Sequence, residues 1–149
     1  MLDFSKARVL VIGDVMLDKY WSGSVNRISP EGPIPIIHIN DCLDKIGGAG
    51  NAALNLLSLG AKTHLIGMIG KDIEGKNLKA ALKKSKISHD LIETNQAPTI
   101  TKLRVIGQNQ QLIRLDFEKS YINIDKSELI KTYKKLIKGF DIILISDYA

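Results

Sequence analysis

Cysteine is almost missing from this 149-residue sequence, where Cys42 stands alone. One thiol excludes an internal disulfide and a thiolate metal cluster, and it is expected as a small buried or partly buried side chain. Long apolar runs are missing too, so no stretch reaches the length needed to cross a membrane. The N-terminal Met1-Leu2-Asp3-Phe4-Ser5-Lys6 lacks the apolar centre of a signal peptide. These two absences leave no membrane partner and a cytoplasmic location as the expectation. There is no internal repeat, low-complexity tract or linker, and the length suits one domain spanning residues 1–149.

Acidic residues are outnumbered, 16 against 21 Lys and Arg, for a formal net charge of +5. The surplus forms no single block. Lys76, Lys79, Lys83 and Lys84, and again Lys131, Lys134, Lys135 and Lys138, are interleaved with apolar residues at helical spacing. That pattern describes solvated helix faces, so no nucleic-acid partner is expected.

What is present is a strand–helix alternation. Arg8–Gly13 is a β-branched run ending in glycine, the mark of a buried parallel strand. Ile34–Ile39 is a second extended run, with Pro35 favouring a sheet edge. A helix is expected from Asn51 to a stop at Gly60, a strand over Thr63–Ile69, and an amphipathic helix over Gly75–Lys84 with Leu78, Ala81 and Leu82 on one face. Thr99–Ile106 and Gln111–Phe117 read as a hairpin. Asp125-Lys126-Ser127-Glu128 resembles a capping box with Asp125 as cap, opening a helix that ends at Gly139. Asp141–Ser146 is a last strand, and no covering helix follows it in the sequence, which reads as an interrupted fold. The expected class is α/β, a parallel sheet with flanking helices. Two strand-rich segments, about 20–40 and 99–117, form a separate small sheet.

Three glycine patterns compete for a ligand. Gly48-x-Gly50-x-x-Ala53 matches a dinucleotide fingerprint, but that requires a strand entering the first glycine, and Asn40–Ile46 reads as a polar link. Gly70-x-x-x-x-Gly75-Lys76 nearly makes a phosphate loop, with Asn77 where Ser or Thr should bind magnesium. It reads as a strand-to-helix turn. Gly47-Gly48-Ala49-Gly50-Asn51 runs straight into a helix, a setting that serves a polyol, a phosphate, or a tight turn with no ligand.

The third pattern continues further. Gly47 to Ala53, six residues to Gly60, nine more to Gly70, then Gly70-Lys71-Asp72-x-x-Gly75, resembles the N-terminal signature of ribokinase-like carbohydrate kinases, the phosphofructokinase-B type. Within that family, Gly13–Trp21, Arg27–Pro35, Thr99–Arg104, Asn109–Asp116 and Ser146–Ala149 are similar to kinase domains acting on D-glycero-D-manno-heptose 7-phosphate. Gly32 and Gly50 depart from that pattern, standing where alanine is expected.

The resemblance implies a ribokinase-like fold whose small sheet is a lid closing over a sugar phosphate and pairing two subunits as a homodimer. It implies Asp18, Gly47, Gly48, Asn51 and Asp147 as sugar-binding residues. Lys102, Arg104 and Arg114 are the candidates for the phosphate, with Arg27 behind them; a solvated strand charge is the competing reading of each. Asp14 is read as a local cap. ATP and Mg2+ are implied for the complete kinase. Its nucleotide side comes with a later Gly-x-Gly-Asp element that this sequence does not contain, so the chain is expected to offer no catalytic base or metal site, to bind nucleotide poorly, and to be inactive alone. A non-catalytic sugar-phosphate-binding remnant, or a relative acting on another sugar, stays open.

Overall fold

A computed structural model describes residues 3–148, so Met1 and Leu2 of the N-terminal segment and Ala149 of the terminal run lie outside it. The described residues form eight strands and three α-helices in the order β1 (Arg8–Gly13), β2 (Val15–Ile28), β3 (Pro35–Gly48), α1 (Ala49–Ser58), β4 (Lys62–Gly70), α2 (Ile73–Lys84), β5 (Ser88–Thr94), β6 (Ile100–Gly107), β7 (Gln110–Phe117), α3 (Ser127–Leu136) and β8 (Ile142–Ser146). A short 3-10 turn, Ile137–Gly139, follows α3.

β5, β4, β1 and β8 make an all-parallel sheet in that order. The apolar residues of β1 and β4 face both ways, so Leu10 and Val11, like Leu65 and Ile66, are fully buried, as a strand covered on both faces requires. On one face α1 and α2 supply Ala49, Ala53, Leu78 and Leu82 to a core with Val9, Val11, Leu65 and Ile69. On the other, Leu129 of α3 packs beside Met68, Ala97 and Ile124. β8 is an edge strand, and Ile142 and Ile145 on it are exposed. No helix among the described residues is long and apolar enough to cross a membrane.

The second sheet has the order β3-β2-β6-β7, with β2 and β6 parallel and the outer pairs antiparallel. Its strands reach beyond the 20–40 segment: β2 begins at Val15, and β3 runs from Pro35 to Gly48 without the expected polar link. Continuous pairing with β2 carries β3 through Asp41-Cys42-Leu43-Asp44, whose polar side chains suit an edge strand. The dinucleotide fingerprint therefore does have a strand before it. It still fails, because β3 belongs to the small mixed sheet and not to a parallel βαβ unit. Cys42 is exposed, contrary to expectation, because it sits on that edge strand opposite Trp21.

Two further differences concern β5 and α3. Ser88–Thr94 pairs with β4 although its sequence, mixing His89, Asp90 and Glu93 with Leu91 and Ile92, shows little strand signal. α3 opens without a capping box: Asp125 accepts from the backbone N–H and hydroxyl of Ser127, and Lys126 is the cap residue with no side-chain cap bond.

Candidate substrate site

β4 and β5 lie on one side of β1 and β8 on the other, so the strand order reverses between β1 and β8. In an open α/β sheet, ligands bind beyond the carboxyl ends of the strands at such a switch point. At this place lies a cleft of about 260 Å3 lined by Gly13, Asp14, Met68, Ile100, Tyr121 and Asp147. The Tyr121 hydroxyl donates to Pro98 O at 2.7 Å, and burial pushes its pKa up to about 12.

Asp14 holds this junction together. Its backbone N–H donates to Ser146 O at 3.0 Å, and its carbonyl accepts from Ala49 N at 2.8 Å. Its Oδ2 accepts from Tyr148 N at 3.0 Å. One residue thus ties the ends of β1 and β8 to the turn that opens α1. It caps more than its own turn.

That turn is Gly47-Gly48, the last residues of β3. Gly48 has φ 55°, and a Cβ there would meet Asp14 O at 2.2 Å. A Cβ on Gly47 would meet Asp18 Oδ2 at 2.5 Å. Bare backbone at Gly47 is therefore what lets the Asp18 carboxylate lie against the turn. Gly50 has a local reason as well, since Ile46 occupies the space an alanine methyl would need.

Asp18 and its neighbours lie on one face of the small sheet. Thr101, Leu103 and Val105 alternate inward along β6, leaving Lys102 and Arg104 together on the other face, as expected. The parallel register puts Asp18 beside Lys102 and Tyr20 beside Arg104. Arg104 Nη1 donates to Asp18 Oδ1 at 2.6 Å, and this bond raises the guanidinium pKa above its ordinary value. Arg104 also lies over the Tyr20 ring at 5.2 Å, and Lys45 Nζ lies over the same ring at 4.9 Å. Lys102 Nζ donates to Asp116 at 3.2 Å and Glu118 at 3.1 Å. Desolvation pulls the Lys102 pKa down, but these two carboxylates outweigh it and the net direction is up. Arg114 Nε meets Asp116 Oδ1 at 2.9 Å.

Asp18, Gly47 and Arg104 are thus in contact, and Lys102 and Arg114 join through Asp116. Asp147 lines the cleft at the switch point, linked to the glycine turn through Asp14. Asn51 is exposed and lines a different groove with Asp44, Leu54 and Lys84, so the structure does not bring it to the Asp147 cleft. Arg27 sits nine residues along β2 from Asp18, roughly 30 Å by strand rise, and is exposed. Lys45 was not among the residues expected on this face, though a step of two from Gly47 points to it, and Asp14 does more than the local cap expected of it.

The phosphate-loop look-alike is filled by its own residues. Asp72 Oδ1 accepts from Gly75 N at 2.8 Å and from the Thr99 hydroxyl at 2.7 Å, while Oδ2 accepts from Thr99 N at 2.7 Å. A carboxylate on the first N–H groups of α2 leaves no room for a phosphate there.

The arrangement is matched by known proteins. The model of the pfkB family carbohydrate kinases matches residues 6–147. The chain belongs to that family. It is 46% identical over 147 residues to the bifunctional protein HldE of Blochmanniella pennsylvanica, and 43% identical to that of Haemophilus influenzae strain PittEE. Each match covers 99% of this chain and 31% of the relative, so the chain spans about a third of the length of these curated relatives. A carbohydrate kinase from Agrobacterium tumefaciens superposes with TM-score 0.71 at 20% identity, covering 93% of this chain and 45% of that one. Phosphofructokinase-2 from Escherichia coli in complex with fructose-6-phosphate gives 0.64 at 19% identity, covering 95% and 45%. These kinases share the parallel sheet with its second small sheet, and the fold is ribokinase-like.

Proposed function

We propose that this chain supplies the sugar side of a kinase that moves a phosphoryl group from ATP to the anomeric hydroxyl of D-glycero-D-manno-heptose 7-phosphate, giving the 1,7-bisphosphate used for ADP-heptose and lipopolysaccharide core precursors. The observation that carries the reading is the placement of Asp18 against the bare Gly47 backbone, on a sheet face that also presents Lys102, Arg104 and Arg114. The 46% identity to an HldE protein supports the choice of sugar.

Each residue has a defined task in this reading. Asp18 accepts hydrogen bonds from sugar hydroxyls, since each carboxylate oxygen can take more than one donor. Gly47 and Gly48 let the ring approach the backbone, while Asn51, which lines a different groove, takes no part. Asp147 faces the same sugar from the end of β8. The cationic face of the small sheet receives the phosphate, guanidinium by paired hydrogen bonds. ATP and Mg2+ supply the transferable group and its charge neutralisation in pfkB kinases. Among the described residues the only phosphate-loop-like turn is closed by Asp72, so these residues orient the sugar and hold its phosphate.

The small sheet acts as a lid, excluding water that would compete for the phosphoryl group. The face opposite the charged one supports a homodimer where it runs out along β7. Ile113, Leu115 and Phe117 alternate along edge strand β7 and are 50%, 40% and 52% exposed, an apolar row that a lone subunit has no reason to show to water.

The test is a titration of the protein with heptose 7-phosphate, followed by chemical shifts, beside a coupled assay for ADP release. Saturable binding with shifts at Asp18, Gly47 and Gly48, lost in Asp18→Ala, is expected, together with no ATP-dependent turnover. Tighter binding of a different sugar phosphate would reassign the substrate within the family, and turnover would show that the catalytic parts are present.

A further inference from the structure

On the charged face of the small sheet, cations and carboxylates are unevenly matched. Lys102 is held by Asp116 and Glu118, Arg104 by Asp18, and Arg114 by Asp116. Lys45 belongs to the same face: it is the register partner of Asp18, two residues before Gly47. It is exposed, and its ammonium meets no carboxylate within ion-pair distance among the described residues. What holds it is the Tyr20 ring at 4.9 Å. The same ring carries Arg104 at 5.2 Å, so the two charges are no more than about 10 Å apart, a span that an anion and its bound water can bridge.

Tyr20 therefore keeps two cations close without neutralising either. Their mutual repulsion is relieved on the Arg104 side by Asp18, whereas Lys45 has the ring and, among the described residues, no carboxylate within ion-pair distance. An arriving dianion needs no existing ion pair broken to reach Lys45. At Lys102 it must displace two carboxylates, and at Arg114 it must compete with Asp116. Desolvating a charge is repaid only by a new partner, so the unpaired ammonium is the cheaper place for a phosphate to land.

We infer that Lys45, steadied by Tyr20, is the primary phosphate-binding residue of this face, taking the phosphate monoester of the sugar phosphate with Arg104 as its second contact. The inference rests on the sugar-phosphate reading above and deepens it, because it names what makes the site prefer a phosphorylated sugar to a free one. Lys102, one of the three sequence candidates for the phosphate, belongs instead to the Asp116–Glu118 cluster that joins β6 and β7.

Chemical-shift titration of the protein with D-glycero-D-manno-heptose 7-phosphate and with the unphosphorylated heptose tests this. Lys45→Gln is expected to weaken the sugar phosphate about tenfold and leave the free heptose unchanged, and Lys45→Arg to restore most of the loss. Lys83→Gln, the same change of net charge on the exposed face of α2, is expected to shift either affinity less than twofold. Lys45→Gln binding the sugar phosphate like the parent would overturn the inference and leave the proposed function standing. So would an equal loss for both sugars, since Lys45 would then be organising the sheet. A parent protein that binds neither sugar takes down the functional reading and the inference with it.

Discussion

Leu65 and Leu115 each lie inside a strand, yet the first is fully buried and the second is 40% exposed. The contrast runs through the two sheets they represent. The parallel sheet covers both faces of β1 and β4 with helices, and the centres of these two strands read as apolar runs. The mixed sheet has one face that packs toward α2 through Lys19 and Glu74, and one that is a layer of charges around Asp18, Tyr20 and Asp116. Stability is concentrated in the first, and the proposed function puts recognition in the second. Such a division lets the recognising surface carry charges that a core could not absorb.

The largest expected effect is therefore at the parallel sheet. Leu65→Ala removes a side chain with no exposed surface and is expected to cost about 3 kcal/mol in urea unfolding. Leu115→Ala, the same change on the mixed sheet, is expected to cost below about 1 kcal/mol in the isolated subunit. Equal losses would erase the contrast and make the small sheet part of one continuous core.

A smaller effect lies at the seam between the sheets, where Asp72 at the start of α2 binds the Thr99 that leads into β6. Burial raises the Asp72 pKa, but the hydrogen bonds from Thr99 and Gly75 outweigh it and leave the carboxyl below its ordinary value. A group depressed in the folded state adds stability above its unfolded pKa, about 3.9, and loses that contribution as pH falls through the folded value. Asp72→Ala is expected to cost about 2 kcal/mol at pH 7, as for a lost helix cap. The gap between the two proteins should narrow as the pH is taken below about 4. A gap that stays constant into acid would mean that the ionised carboxylate is not what joins the sheets.

The two regions were also unequally legible. Helical periodicity located Leu78 and Leu82 of α2, and β-branched runs located β1, β4 and the β6–β7 hairpin, because each of those signals is local. β5 escaped because Ser88-His89-Asp90 carries no apolar alternation, and its place is set by pairing with β4. The continuation of β3 through Asp41–Asp44 escaped because an edge strand tolerates polar residues on both faces. Alternation put Lys102 and Arg104 on one face, but their separate partners could not be read. Arg104 meets Asp18 only through a parallel register between residues 86 apart, which no local pattern encodes. The glycine turn was legible as a tight entry into α1. Its dependence on Asp14, which ties it to β8, was not, since that tie runs across three separate segments.

The smallest expected change in stability belongs to the outer row of β7, and there the readout is association. Phe117 is 52% exposed, so Phe117→Asp removes little buried surface and should leave the urea midpoint of the isolated subunit nearly unmoved. If Ile113, Leu115 and Phe117 meet their counterparts in a second copy, a carboxylate in the row must be desolvated against apolar neighbours, which a dimer cannot repay. Sedimentation velocity is then expected to show a dimer for the parent protein and a monomer for the variant. The charged face points the other way from the sheet, so sugar-phosphate binding should survive in the monomer. A parent protein that sediments as a monomer at every concentration would remove the dimer from the proposal and leave the apolar row without a partner of its own kind.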